Sequence, residues 1–430
     1  MTRSQTVTPR RIAVPPAVAE YFWRTQLGGL VLLANRHRDA AGAVLFAIAA
    51  TAVYLFTSSR ERENLDYFVR LADAFLQGRL TLPEAPSWLN ELIPTEGGWF
   101  VAYPPMPAIL LVPVVAIFGP DVHQQVVSSV LGGVAVGLAW LVLGRFELSL
   151  RVRAFLTTVF GFGTVLWYVA EVGSVWYLAH VVALGFSLAA VLLALHGRWP
   201  LWCGLLLGCA AISRLPVGLA APFVLALLLR IPWPPRLSAI DAATLRASLV
   251  FGFGLAIPLS GYALYNVARF GTPFDLGYSR IPGVLEDPIY VEHGILSLEY
   301  IPRNLFAIFL RSWNYVDDPP FLQPSWWGLS LFLTTPLLLW LFRSPLRDRR
   351  VGYALLGVAA TAIPIVTHGN VGFIQYGYRF SLDVQALLFV MLAVVFERER
   401  LSRAAVFAGA LGIVSSAYAI WAIGIDFVAF

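Results

Sequence analysis

The chain is a succession of long apolar runs separated by short polar breaks, and that pattern leaves few folds open. A hydrocarbon core about 30 Å thick is crossed by roughly 20 apolar residues of helix. Inside it every backbone N–H and C=O must be satisfied within the segment, which favours helices. Composition agrees, with 58% of the residues hydrophobic and only 13% charged, where soluble domains carry about 25% charged residues. The expected architecture is an all-α polytopic membrane protein. Residues 1–40 read as a basic cytoplasmic segment with an interfacial helix at 17–33, and 41–430 as one transmembrane domain.

Cytoplasmic loops collect Arg, and every one of the 30 basic residues is Arg. The spans then read as residues 41–57, 126–143, 154–170, 181–195, 201–213, 217–229, 247–266, 326–342, 351–367, 384–396 and 404–425, eleven in all. They alternate from a cytoplasmic N-terminus and leave external loops at 58–125, 267–325 and 368–382. Residues 106–118 are apolar but short and carry Pro107 and Pro113, so they are read as a segment that does not cross. Counting them as a span would place the basic loop 145–153 outside. With the chosen parity, 20 Arg and 7 acids fall inside and 10 Arg and 18 acids outside, totalling the chain's 30 and 25. The first forty residues lack the short apolar core of a secretory signal.

The net charge of +5 would suggest nucleic acid in a soluble protein. Its concentration in loops between spans points to membrane orientation instead. Cys203 and Cys209 lie in one apolar run and read as core residues. There is no Gly-rich phosphate loop, His-Glu-x-x-His pattern or Ser nucleophile elbow.

Polar chemistry concentrates in the first external loop. Leu65, Phe68, Leu71, Ala72, Phe75 and Leu76 follow a helical period, which makes 64–78 an amphipathic helix along the membrane surface. Asp66 and Asp73 are about two turns apart on that helix, and Arg70 is spaced to pair with either. Each acid reads either as part of a solvated, ion-paired face or as a general base within reach of an acceptor hydroxyl.

A first span, an acid at the head of an amphipathic helix, Gly78-Arg79-Leu80 and an aromatic stretch ending in Tyr103-Pro104-Pro105 together resemble the first periplasmic loop of GT-C glycosyltransferases. That superfamily includes the lipid A aminoarabinose transferases and the protein O-mannosyltransferases. Tyr265–Phe274 and Gln375–Asp383 are similar to segments of bacterial membrane proteins grouped with it. The resemblance implies a GT-C-like bundle with amphipathic external helices in the bacterial cytoplasmic membrane, with its active site outside. It implies transfer of a sugar from a polyprenyl-phosphate donor to a lipid, glycan or protein acceptor, with inversion. Asp66 is then the first candidate for the base and Asp73 the second. Family members often carry Lys or His where this chain has Tyr103, so Tyr103 is read as a substrate contact.

A leaving polyprenyl phosphate gathers negative charge, which a guanidinium can hold with two donors. Arg379 is the first candidate, with pairing to Asp383 four residues on as its structural reading. Arg214, expected at the outer interface, is second; Arg280 and Arg269 follow. Tyr376, Tyr378 and His368 are further substrate-contact candidates, while His180 reads as a core histidine. No cofactor is assigned with certainty. Glu171 is the one candidate ligand for a divalent cation, as in the oligosaccharyltransferase branch, or a substrate contact; oxygen-ligand sites normally recruit several carboxylates. The expected partners are the lipid-linked donor, the acceptor and membrane lipids. The alternative is a transporter or flippase of lipid-linked envelope precursors, and a third reading is a scaffold for envelope assembly. Transporters commonly show internal repeats and midplane charges, neither of which is apparent here.

Overall fold

The computed structural model describes residues 37–58, 65–236, 240–319, 321–372 and 375–426. The interfacial helix expected at 17–33, the rest of the segment before residue 37, and residue 64 lie outside them.

Helix α1 (Arg38–Thr57) leads into the first loop, which holds helix α2 (Tyr67–Leu76), the hairpin β1 (Leu92–Thr95) with β2 (Gly98–Val101), and helix α3 (Met106–Phe118). Then follow α4 (Gln124–Leu143), α5 (Leu150–Phe162), α6 (Leu166–Val172), α7 (Val175–His196), α8 (Pro200–Ala211), a 3-10 turn at Leu215–Ala220, α9 (Ala221–Leu229) and α10 (Ala242–Phe270). The second long loop contains α11 (Ile301–Phe309) and the short pair β3 (Asn314–Tyr315) and β4 (Leu322–Gln323). After it come β5 (Trp327–Leu329), α12 (Leu331–Thr334), a 3-10 segment Pro336–Arg343, α13 (Arg349–Val366), β6 (Gln375–Gly377), α14 (Leu382–Arg398) and α15 (Arg403–Asp426).

Seven described helices are long and apolar enough to cross a membrane, and α5 with α6, bent by 47°, makes an eighth. Helix α8, the Leu215–Leu229 unit and the broken segment 331–343 occupy the other three of the eleven expected positions. The expected span 326–342 differs in detail: Trp327–Leu329 pair with Gln375–Gly377 as parallel strands. Pro336, which has no N–H to continue a helix, sits where α12 gives way to the 3-10 turn. Side-chain caps start several helices, as Ser149 accepts from Val152 N and Asp241 from Thr244 N.

Small residues set the close crossings, as expected where helices must approach without a hydrophobic driving force. A Cβ on Gly133 would lie 2.0 Å from Thr51 Oγ1 of α1, and one on Gly204 of α8 would lie 2.0 Å from the Phe251 carbonyl of α10. Helix α14 runs through the middle of the bundle, buried on all sides from Gln385 to Phe396, as befits a segment that is apolar nearly all round. By contrast α10 turns Leu249, Phe253 and Leu264 outward, the face it would present to lipid.

Helix α3 enters and leaves at one end of the bundle. Met106 N donates to the Ile212 carbonyl at the end of α8. Gln124, at the start of α4, accepts from Phe68 N and donates to the Gly173 carbonyl between α6 and α7. Both flanks of α3 thus meet turns of the same face, and α3 packs on α2. The opposite end is knitted by Arg153–Asp39, Arg350–Glu397, Arg343–Glu399 and Arg398–Asp348 pairs.

Candidate active site

The loop-bearing face is assembled by a few polar ties that follow from where the loops leave the helices. Arg269, in the last turn of α10, is buried and donates to the Val101 carbonyl at 2.6 Å and to Asn266 at 2.7 Å, anchoring the first loop's hairpin. Asn304 on α11 donates to the carbonyls of Tyr300, Val366 and His368. Gln375 donates to the Val371 and Trp327 carbonyls and accepts from Arg379 N. These bonds fix the segment before α14, and with it the Arg379 backbone.

Arg379 is buried, with its guanidinium 5.3 Å from the centres of the Tyr177 and Phe380 rings and 5.6 Å from that of Trp176. Arg214, in the turn after α8, has its guanidinium 5.1 Å from the centre of the same Phe380 ring. Its guanidinium donates to Asp383 at 3.0 Å, and the other oxygen of that carboxylate meets His180 Nδ1 at 2.8 Å. The expected role of Asp383 therefore changes: its described ion pairs are to Arg214, from the turn after α8, and to His180 of α7, rather than to a residue four positions before it. A 3-10 turn precedes α14, so the helical i,i+4 geometry does not apply there. His180 is fully buried, as expected for a core histidine, and its ring is 5.6 Å from that of Phe380.

On the first-loop side stands a carboxylate that sequence reasoning missed. Glu91, just before β1, is half-buried and accepts from Trp176 Nε1 at 3.1 Å. The same indole N–H reaches Tyr103 Oη at 2.8 Å. Glu91 N donates to Tyr67 Oη. Burial pushes its carboxyl up to about 7, while the Trp176 hydrogen bond and the Arg379 charge pull the other way. Nothing in the local pattern distinguishes Glu91 from Glu84 or Glu96 of the same loop.

The third wall comes from the second long loop. Tyr278, Tyr290 and His368 pack edge to face in a mutual cluster. Burial pushes the Tyr278 phenol up, the Glu91 charge adds to that rise, and the Arg379 charge opposes it. Burial holds His368 down to about 4, and the Arg214, Arg379 and Arg303 charges push the same way; the imidazole is neutral at neutral pH. Tyr378, edge-on to Phe380, has a buried hydroxyl with no partner among the described residues.

The other sequence candidates fall elsewhere. Asp66 stands at the head of α2, held by Arg70 Nε at 3.0 Å and Trp88 Nε1 at 3.3 Å. Asp73 is bonded by Gln77 at the exposed end of that helix. Arg280 is paired with Asp275 at 2.6 Å, and Arg269 is spent on the loop anchor described above. Tyr376 is fully buried and donates to Ser415, a core position. Glu171 is buried in α6, away from any second ligand set: among the described residues no three His, Cys, Asp or Glu side chains gather as metal ligands.

No family model matches the chain and no curated protein matches it in sequence. Among solved structures, ArnT from Cupriavidus metallidurans bound to undecaprenyl phosphate matches 92% of this chain at 15% identity and a TM-score of 0.52. The same protein in the apo state matches 84% of the chain at 17% identity and a TM-score of 0.47, covering 60% of that chain. This chain spans 64% of the length of the undecaprenyl-phosphate-bound ArnT. The likeness establishes the class of the fold: a multi-pass membrane bundle of the GT-C-like kind expected from the sequence.

Proposed function

We propose that the protein is a GT-C-type glycosyltransferase that moves a sugar from a polyprenyl-phosphate carrier to an acceptor on the extracytoplasmic side. One observation carries this reading. Two arginines from separate turns, Arg214 and Arg379, flank Phe380 on the loop-bearing face, in a fold shared with a protein solved with undecaprenyl phosphate bound. A pair of guanidiniums held by a buried carboxylate and by aromatic rings is suited to a phosphate that gains charge as its sugar leaves.

In this reading the acceptor oxygen attacks the anomeric carbon, and the bond from that carbon to the phosphate oxygen breaks with inversion. The electron pair stays on the polyprenyl phosphate, between Arg379 and Arg214. A first-loop carboxylate takes the acceptor's proton, Asp66 or Glu91, whereas Asp73 is bonded by Gln77 at the exposed end of α2. Tyr103, Tyr378 and His368 line the sugar's side of the pocket. Arg269 and Arg280 hold the loops rather than the phosphate.

The test is release of undecaprenyl phosphate from undecaprenyl-phosphate sugars by the purified protein. Turnover that falls at least tenfold in both Arg214→Gln and Arg379→Gln supports the assignment. No turnover of any donor, with labelled lipid instead crossing vesicles, would replace it with lipid transport.

A further inference from the structure

Two carboxylates compete for the proton, and their surroundings differ. Asp66 Oδ1 already receives Arg70 Nε and Trp88 Nε1. Both partners belong to the outer rim: the Arg70 side chain is 36% exposed and Trp88 is 40% exposed. Both donors converge on the one oxygen, so a hydroxyl approaching Asp66 would do so among the side chains of the rim.

Glu91 instead stands beside the ring that touches Arg379. Its Oε2 takes one neutral hydrogen bond, from Trp176 Nε1, and its Oε1 has no hydrogen-bond partner among the described residues. The Trp176 ring that holds it also stacks on Arg379, so one side chain spaces the carboxylate from the guanidinium. Tyr67 Oη, bonded to Glu91 N, and Tyr103 Oη, sharing the Trp176 N–H, fix the carboxylate from two further elements.

We infer that Glu91, rather than Asp66, takes the proton of the acceptor hydroxyl during transfer; the inference rests on the glycosyltransferase reading above. The acceptor O–H proton passes to Glu91 Oε1 as the oxygen bonds to the anomeric carbon. The carbon–phosphate-oxygen bond breaks in the same displacement, and the phosphate leaves with its electron pair. Glu91, now a carboxylic acid, returns its proton to water. Asp66 serves as a positioning residue, tying Arg70 of α2 to Trp88 of the first loop. Burial places Glu91 where a general base works best, titrating near the operating pH.

The experiment uses the full chain in vesicles of its host's membrane lipid, with a panel of undecaprenyl-phosphate hexoses and pentoses. It reads undecaprenyl phosphate binding and donor turnover between pH 5 and 9. Glu91→Gln is expected to bind undecaprenyl phosphate like the wild type while losing ~10²- to 10⁴-fold in turnover. Glu91→Asp recovers part of that loss. The wild-type rate rises with pH through about 7, and Asp66→Asn keeps that rise. Turnover within threefold of wild type in Glu91→Gln overturns the inference, as does binding lost in step with turnover, or a pH rise that vanishes in Asp66→Asn. A wild type that neither binds undecaprenyl phosphate nor consumes any donor overturns the glycosyltransferase reading itself.

Discussion

Arg379→Gln separates the two jobs assigned to this side chain. Gln keeps a polar head and much of the length, but removes the charge and the two-donor fork. A charge-assisted hydrogen bond contributes about 1.5–3 kcal/mol, so losing one half of the proposed phosphate clamp should weaken undecaprenyl phosphate binding roughly 10- to 100-fold. The second effect follows from electrostatics. Arg379 lowers the proton affinity of Glu91 across the Trp176 ring. Two unit charges about 10 Å apart at an effective dielectric of ~20 interact by about 1.7 kcal/mol, and one pKa step is 1.36 kcal/mol. Removing the cation therefore moves the acid limb of turnover up from about 7 by roughly one pH unit. Arg379→Lys keeps the charge and loses the fork, so it weakens binding while leaving the limb in place. Isothermal titration with undecaprenyl phosphate in nanodiscs reads the affinity, and a pH–rate profile reads the limb. Unchanged affinity together with a limb that stays or moves down in Arg379→Gln would refute the reasoning.

Further outcomes are expected from the rest of the molecule. Because burial raises the Glu91 carboxyl above its unfolded value, its protonated form favours the fold. That contribution is complete below the unfolded value of 4.5 and is lost as pH rises through about 7. Glu91→Gln, which mimics the acid, should match the wild-type melting temperature at pH 5 and exceed it at pH 8.5; equal melting at both pH values would count against the buried assignment. Gly204→Val forces α8 off α10, since even a Cβ there meets the Phe251 carbonyl, and should destabilise by about 1–3 kcal/mol. Thermal unfolding in detergent measures it, and a shift under one degree would contradict the close crossing. His368→Gln should change the rate without moving the acid limb, because burial keeps the imidazole neutral down to about pH 4.

Hydropathy made the bundle legible, down to the helix over Met106–Phe118 that returns to the face it left. The clue was indirect: the Arg-rich loop 145–153 needed a parity that a short segment with two prolines could satisfy. Helix ends were less legible, because α7 and α10 continue beyond their apolar cores to Val175 and Phe270, where capping and loop contacts take over from hydropathy. The broken segment 331–343 escaped notice because its composition is that of a span, and only Pro336 marks the break. At the proposed site, Arg379 and Arg214 stand out in the sequence as rare charges beside spans. Their relation does not, since Asp383 pairs across the bundle with Arg214 and His180. Glu91 was hidden for the same reason. Its setting beside Trp176, distant in sequence on α7, is made by tertiary packing, which no local period marks. The amphipathic period drew attention to Asp66 and Asp73 instead, where it reports mainly how α2 buries Phe68, Leu71 and Ala72.

The most direct test of the account is a structure of the full chain with undecaprenyl phosphate. The account predicts phosphate oxygens within hydrogen-bond reach of both Arg379 and Arg214, beside Phe380, with the Glu91 carboxylate facing the same space across Trp176. A phosphate bound elsewhere, with Arg214 and Arg379 both still turned to their present protein partners, would contradict it.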